Sequence, residues 1–475
     1  MMSEIKFGTD GWRAIIARDF TFENCRVVAQ GIAGYVNNQQ LTKKGIVIGY
    51  DHRFMSEDFA RECAHVLLGN GIKTFLLCKA APTPVTAFAV RHKQAGGAIM
   101  ITASHNPPEY NGIKFIPEYA GPALPDVTDA IEAEIAHVME SHKIYELSIE
   151  DAAQFDLFEE IDVDREYCQQ VTNLLLPQSF AKNPIKITID PMFGAGCGYL
   201  DKILTGLGCE VRTINNYRDP LFGGSLPEPT DENLSDLKRA VCSYKSDLGL
   251  ALDGDADRFG IIDNEGNFVS ANQFLSLLLE HLLTTRTFRG PVARSLATTH
   301  MLDRIAQQNG ITVIETPVGF KYVGEGLREK GCILGGEESG GLSIFGHIPE
   351  KDGILACLLA AEMLAGTGKS FARLTEELNK KYGAWDSRRL DIKVKPEEKL
   401  NILNKISEYK PKSILGVGVQ SISNREGLKI VLEDGSWILI RASGTEPMFR
   451  LYVESTSLDR IRDIQAEVSS AISLK

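Results

Sequence analysis

Three aspartates, Asp253, Asp255 and Asp257, stand two residues apart at the end of the apolar run Leu248 to Leu252. In an extended segment that spacing turns all three carboxylates to one side. Three anions so close repel one another unless protons or a cation relieve them. A hard divalent ion, Mg²⁺ before others, suits such oxygens. An EF-hand would need Gly at its sixth position and Glu at its twelfth, and this chain has Arg258 and Asn264 there. The plainer alternative is a solvated acidic turn. Arg258, beside the triplet, suits a phosphoryl group.

A second apolar run, Ala98 to Ile101, leads into Thr102-Ala103-Ser104-His105-Asn106-Pro107-Pro108. The prolines stop the strand and delay any helix. Ser104 is thereby presented at a strand tip, where parallel α/β sheets hold ligands. It is a candidate nucleophile with His105 as the adjacent activator, and the same residues also compose an ordinary surface turn. Lys114, ten residues on, is either solvated or, close to other charges, a group for proton transfer. Arg13 lies just beyond the turn Phe7 to Trp12, and its fork suits an anion. In Gly335 to Gly341, permissive glycines surround Glu337, Glu338 and Ser339, which can accept from and donate to sugar hydroxyls. Arg441 to Pro447 reads as a phosphate nest or as a hairpin turn.

The elements that would carry these residues recur. A strand, a helix ended by Asn-Gly or Gly, and a second strand appear around Ile46, Ile187 and Val292. Each copy continues through a proline-containing linker and a helical segment to a strand that ends in one of the loops carrying Ser104, Asp253 or Glu337. The expected fold class is α/β: three similar α/β domains with mixed, mainly parallel sheets, followed by a C-terminal α+β domain, around a central cleft. The expected boundaries are 1–150, 151–266, 267–383 and 384–475. The final part has strands at Arg388 to Val394, Gly427 to Leu432, Ser436 to Arg441 and Met448 to Glu454, and a closing helix over Leu458 to Ser473.

At 475 residues the chain is long enough for several cores, and its net charge of -12 argues against a nucleic-acid partner. Its nine cysteines form no C-x-x-C pair, so a zinc site is not expected, and their odd number fits a reducing compartment. The N-terminus lacks an apolar signal region, and the best apolar run, Ile354 to Ala365, is short and contains Glu362. A cytoplasmic protein with no membrane partner is the expectation.

Taken together and in this order, the motifs resemble those of the α-D-phosphohexomutase superfamily. Thr102 to Pro107 is similar to its phosphoserine loop, Asp253 to Arg258 to its metal loop, Gly336 to Ser339 to its sugar loop, and Arg441 to Thr445 to its phosphate loop. The resemblance implies that Ser104 carries a phosphoryl group, with its oxygen on a Mg²⁺ held by Asp253, Asp255 and Asp257. It implies that this group passes to a hexose monophosphate through a bisphosphate intermediate. Arg258 would offset charge, Lys114 and Arg13 would assist proton transfer, and His105 would position. Glu337 and Ser339 would hold sugar hydroxyls, and Arg441, Ser443, Gly444 and Thr445 the phosphate that is not reacting.

Within the superfamily, Gly-Glu-Glu-Ser at 336–339, the Val318-Gly319 loop and His347 to Gly353 with Lys351 are similar to the phosphoglucomutases. Phosphomannomutases and phosphoglucosamine mutases usually have His where Gly341 stands. Ser443 to Pro447, by contrast, is closer to the phosphoglucosamine mutase form. The resemblance therefore implies glucose 1-phosphate and glucose 6-phosphate as substrates, with mannose and glucosamine phosphates as alternatives, glucose 1,6-bisphosphate as activator, and a monomer or dimer. A hydrolase with an aspartate nucleophile shares the strand before Asp253, but it usually has Thr or Val where Asp257 stands.

Overall fold

The computed structural model describes residues 5–7, 11–287, 289–442 and 447–474. The repeat takes the form of one strand order used three times. In the first unit Thr74–Leu77, Ile46–Tyr50, Gly97–Ile101 and Tyr110–Pro117 lie side by side. Glu210–Thr213, Lys186–Asp190, Leu248–Leu252 and Phe259–Asp263 do so in the second, and Val313–Thr316, Val292–Ser295, Leu334–Gly336 and Leu342–Ile344 in the third. The first three strands of each set are parallel, and the fourth returns antiparallel. Each candidate loop is thus the tip of a hairpin, anchored by a strand on both sides.

The sequence reading anticipates only the outgoing strand of each hairpin. The return strand Tyr110–Pro117 carries Asn, Gly, Lys and Pro, which disfavour strands; burial and pairing with Gly97–Ile101 override that preference. Arg13, expected beyond a turn, lies instead in the strand Trp12–Ile15, opposite Gly112. The first sheet ends in Phe158–Ile161, parallel to Thr74–Leu77. The C-terminal unit is an antiparallel six-stranded sheet in the order Asp386–Lys393, Met448–Ser455, Trp437–Ala442, Leu428–Leu432, Val417–Ser423, Ser413–Ile414.

Strands buried on both faces read as continuous apolar runs, as Ile46–Tyr50, Gly97–Ile101 and Leu248–Leu252 do. The helix Gly353–Thr367 is apolar all round except at Glu362 because it is enclosed on every side. It packs against Leu248–Leu252 and Phe259–Asp263 of the second sheet and Leu342–Ile344 of the third. Asp352 caps its N-terminus, donating no proton but accepting from the Leu355 amide at 2.8 Å. Among the described residues no single helix is long and apolar enough to cross a membrane; Gly353–Thr367 and Phe371–Tyr382 pass that test only as a pair, bent by 82°.

The C-terminal sheet docks on the third unit through Trp437 and Tyr452, packed on Leu296 and Ala297. Lys429 crosses the same interface, donating to the Leu296 carbonyl at 3.0 Å and to Glu315 at 2.6 Å.

One buried charge ties the second and third units. Glu362, inside the enclosed helix, accepts from Arg286 at 2.9 Å on both oxygens, from His281 at 2.7 Å and from the Leu176 amide at 2.6 Å. Removing one partner of such a group leaves the others charged and buried. Glu362→Ala is expected to lower stability by about 3–5 kcal/mol, visible as a lower midpoint in calorimetry; an unchanged midpoint would contradict this role.

Candidate active site

The tips of the three hairpins meet. Ser104 is buried, with its backbone in the left-handed region at φ 50°. Its Oγ donates to Asp253 Oδ2 at 2.9 Å and lies 3.3 Å from His105 Nδ1. Lys114, on the return strand behind Ser104, reaches Asp255 at 3.1 Å and Asp257 at 3.3 Å. From the third unit Lys351 reaches Asp257 at 3.1 Å, with its ammonium 5.6 Å from the Phe320 ring centroid. Arg258 pairs with Glu228 at 3.3 Å, and its amide donates to Asp253 Oδ1 at 2.9 Å.

The three aspartates converge by a different route from the extended one expected. The segment after Leu252 is a tight turn in which the Ala256 amide donates to the Asp253 carbonyl at 3.0 Å, and Ala256 takes a left-handed φ of 57°. All three carboxylates are buried, and one ligand oxygen from each lies within 4.8 Å of the others. Asp255 Oδ1 and Asp257 Oδ1 are buried and accept no hydrogen bond, while Thr83 and Lys114 both engage the other oxygen of Asp255. A buried acceptor left without a donor is costly. Hard oxygens with open lone pairs on one side are what a small divalent cation requires, so the residues present fit Mg²⁺.

The electrostatics agree. Burial, then Asp255 and Asp257 beside it, push the Asp253 carboxyl well above the usual range. Burial would also raise Asp255, but the charge of Lys114 and the hydrogen bonds from Thr83 and Lys114 outweigh it and hold the group low. Asp257 is held low in the same way, against burial and Asp255, by Lys351, Lys114 and Arg258. His105 is pushed down to about 2 by burial and by Arg258 and Arg13, so its imidazole is neutral. Arg13 donates to Asn106 Oδ1 at 2.7 Å, in the same loop as Ser104.

The sugar-loop residues divide. Glu337 is nearly covered and accepts from the Gly319 amide at 2.8 Å, joining the two loops proposed to contact sugar. Burial, with Glu338 beside it, pushes its carboxyl up to about 7. Glu338 accepts from Ser295 at 3.2 Å and also lines the cavity that Ser339 borders. Ser339 is exposed, on the wall of a cavity of about 430 Å³ that Arg258, Glu228, Arg389 and Tyr452 also line. Arg441 approaches Glu426 at 3.3 Å, and the same Glu426 oxygen accepts from the Val318 amide at 2.9 Å. Ser443, Gly444 and Thr445 lie outside the described residues.

The sequence reading missed Thr83, Glu228, Glu426 and the pair Asp51–Arg53, which sits behind the Ser104 loop. Only the last had a signal: Asp51 follows the strand Ile46–Tyr50 directly, at a sheet end where loops carry function.

Two glycines allow the close approach. A Cβ on Gly254 would lie 2.5 Å from the Ser104 carbonyl oxygen, and one on Gly353 would lie 2.3 Å from the Arg258 carbonyl oxygen. Both obstacles are backbone, so the loops would have to part. Gly254→Ala is expected to cut activity by about 100-fold and to lower the melting midpoint, because parting the loops draws Lys114 away from Asp255 and Asp257; near-normal turnover would show that the loops need not touch.

Models of four domains of the phosphoglucomutase/phosphomannomutase family match the chain in order. Alpha/beta/alpha domains I, II and III match residues 4–142, 165–266 and 270–382, and the C-terminal domain matches 391–471. A phosphoglucomutase/phosphomannomutase of Thermococcus kodakarensis is 31% identical over 457 residues, covering 96% of each chain. A Thermococcus gammatolerans protein named as a phosphoglucosamine mutase is 30% identical and covers 98% of each. A Thermus thermophilus crystal structure described as a phosphomannomutase superposes with a TM-score of 0.86 at 32% identity, over 100% of both chains.

Proposed function

The chain belongs to the phosphoglucomutase/phosphomannomutase family of phosphohexomutases, isomerases that move a phosphoryl group within a sugar phosphate, and we propose that its substrates are α-D-glucose 1-phosphate and glucose 6-phosphate. The observation that carries the reading is the bond from Ser104 Oγ to Asp253, inside a carboxylate cluster that Lys114 faces from the Ser104 side.

Ser104 is phosphorylated in the resting enzyme. The free hydroxyl of the bound hexose monophosphate attacks the phosphorus; the P–Oγ bond breaks and a P–O bond to the sugar forms. The proton lost by the hydroxyl ends on Ser104 Oγ, and Lys114 relays it. The resulting bisphosphate turns round; Ser104 Oγ attacks its other phosphate, the P–O bond to the sugar breaks as a P–Oγ bond forms, the Ser104 proton passes to the freed sugar oxygen, and the product leaves. Asp253, Asp255 and Asp257 would hold Mg²⁺, which when bound supplies positive charge against the phosphoryl oxygens. Arg258 adds charge from one side, and Arg13 fixes the loop through Asn106. Arg441, with Ser443, Gly444 and Thr445, holds the idle phosphate.

Relatives about 30% identical carry names for different sugars, so the choice of glucose rests on this chain's own loops. Gly341 leaves room that a larger residue would take: a Cβ there would lie 2.6 Å from Lys351 Cδ. Lys351 uses that room to reach past Gly341 to Asp257.

The test is a comparison of rates on glucose, mannose and glucosamine 1-phosphates, with Mg²⁺ and a trace of hexose 1,6-bisphosphate. The highest kcat/KM is expected on glucose 1-phosphate; a clear preference for another sugar overturns the assignment. Ser104→Ala is expected to abolish turnover on all three, and normal activity in that variant would sink the phosphoserine step.

Glu337 adds a pH signature. With its carboxyl pushed up to about 7, it is protonated below that pH and loses an acceptor for sugar hydroxyls. KM is therefore expected to fall as pH rises through about 7, and Glu337→Gln should remove that slope and resemble the acid-side enzyme. The same slope in the variant would assign it to another group, and Glu338→Gln should leave it in place.

A further inference from the structure

Behind Ser104 lies a fully buried arginine that no substrate can touch. Arg53 has 0% exposure, and its guanidinium faces four backbone carbonyls of the loop. One terminal nitrogen donates to Ser104 at 2.6 Å and Asn106 at 2.7 Å; the other donates to Pro107 at 2.8 Å and Tyr110 at 3.0 Å. Its Nε faces Asp51 at 3.3 Å, and the Phe222 ring of the second unit covers it with a centroid distance of 4.9 Å.

Asp51 completes a second clamp. It accepts from Thr102 Oγ1 at 2.6 Å, and Thr102 Oγ1 in turn accepts from the Ser104 amide at 2.9 Å. The carbonyl of Ser104 is therefore held by Arg53 directly, and its amide by Asp51 through Thr102, Arg53 and Asp51 being the two members of one buried ion pair. This matters because Ser104 is in the left-handed region, which a residue with a Cβ occupies only at a cost that its surroundings must cover. It matters again because the Ser104 carbonyl is the surface against which Gly254 of the metal loop is laid.

We infer that Arg53 is a positioning residue for phosphoryl transfer: by gathering the four carbonyls it fixes the backbone conformation that aims Ser104 Oγ at the carboxylate cluster. Only a planar fork with several donors meets four carbonyls at once, so lysine cannot replace it. The inference rests on the reading of Ser104 as the phosphoryl carrier. It predicts a defect in the transfer step with substrate affinity intact, because Arg53 lies outside the cleft.

The experiment compares wild type, Arg53→Lys and Asp51→Asn, each first dephosphorylated and then mixed with glucose 1,6-bisphosphate. Phosphate on the Ser104 peptide is followed by rapid quench and mass spectrometry, alongside steady-state kcat and KM. For Arg53→Lys, Ser104 phosphorylation and kcat are expected to fall together by about 100-fold, with KM within about threefold of wild type. Asp51→Asn, which keeps the guanidinium but loosens its anchor, should show a smaller loss of the same kind, and it carries the test if Arg53→Lys does not fold. Wild-type phosphorylation rates in both variants overturn the inference, as does a loss expressed in KM alone. If wild type itself takes no phosphate at Ser104, the carrier reading fails instead, and the inference with it.

Discussion

Three carboxylates share one buried space, and the cations that keep them there come from different parts of the chain. Lys114 belongs to domain I, Arg258 to domain II beside the aspartates, and Lys351 to domain III. A buried charge without a partner is among the most destabilising features a protein can carry. The aspartate cluster therefore penalises any arrangement in which domains I and III draw back from the metal loop. Yet the protein's own cations do not saturate it: Asp255 Oδ1 and Asp257 Oδ1 still lack donors. The same anions that draw the domains together leave buried oxygens open to a further cation. Assembly of the cleft and readiness for a divalent cation follow from one electrostatic requirement.

That requirement explains the glycines and the strain around it. Gly254 and Gly353 stand where backbone meets backbone between domains, and side chains there would hold the loops apart. Ser104 and Ala256, one on each facing loop, both take left-handed backbone conformations. Such residues persist only where the surroundings overdetermine them. At Ser104 the surroundings are Arg53, Asp51 and Thr102; at Ala256 they include the Gly353 amide, which donates to its carbonyl at 3.1 Å. The C-terminal domain joins the same system from the other side, where Glu426 links Arg441 to the Val318 amide of domain III.

Much of this was legible in the sequence. Apolar runs ending in polar tips marked Gly97–Ile101, Leu248–Leu252 and Leu334–Gly336, because parallel strands buried on both faces must be apolar throughout. The aspartate spacing pointed to a cation site, although the geometry behind it is a turn at Ala256 and not an extended strand. The return strands were not legible, since pairing and burial overrode the poor strand propensity of residues such as Asn111, Gly112 and Pro117. Nor was the role of Arg53, because its partners are backbone carbonyls, which every residue carries and no sequence pattern marks. Glu426 was missed for a related reason: its partners lie in two places, the Val318 amide and Arg441, that only the docking of the last domain brings together.

The central claim is that one phosphoryl group travels from Ser104 to the sugar while the sugar's own phosphate takes its place. A single-turnover experiment tests it directly. Enzyme labelled with radioactive phosphate on Ser104 is mixed with unlabelled glucose 1-phosphate, and the position of the label is followed. The account predicts that the label leaves the protein as product forms, and that it is found on the 6-oxygen of glucose 6-phosphate. Label that stays on the protein through isomerisation, or that appears as free phosphate, would contradict it.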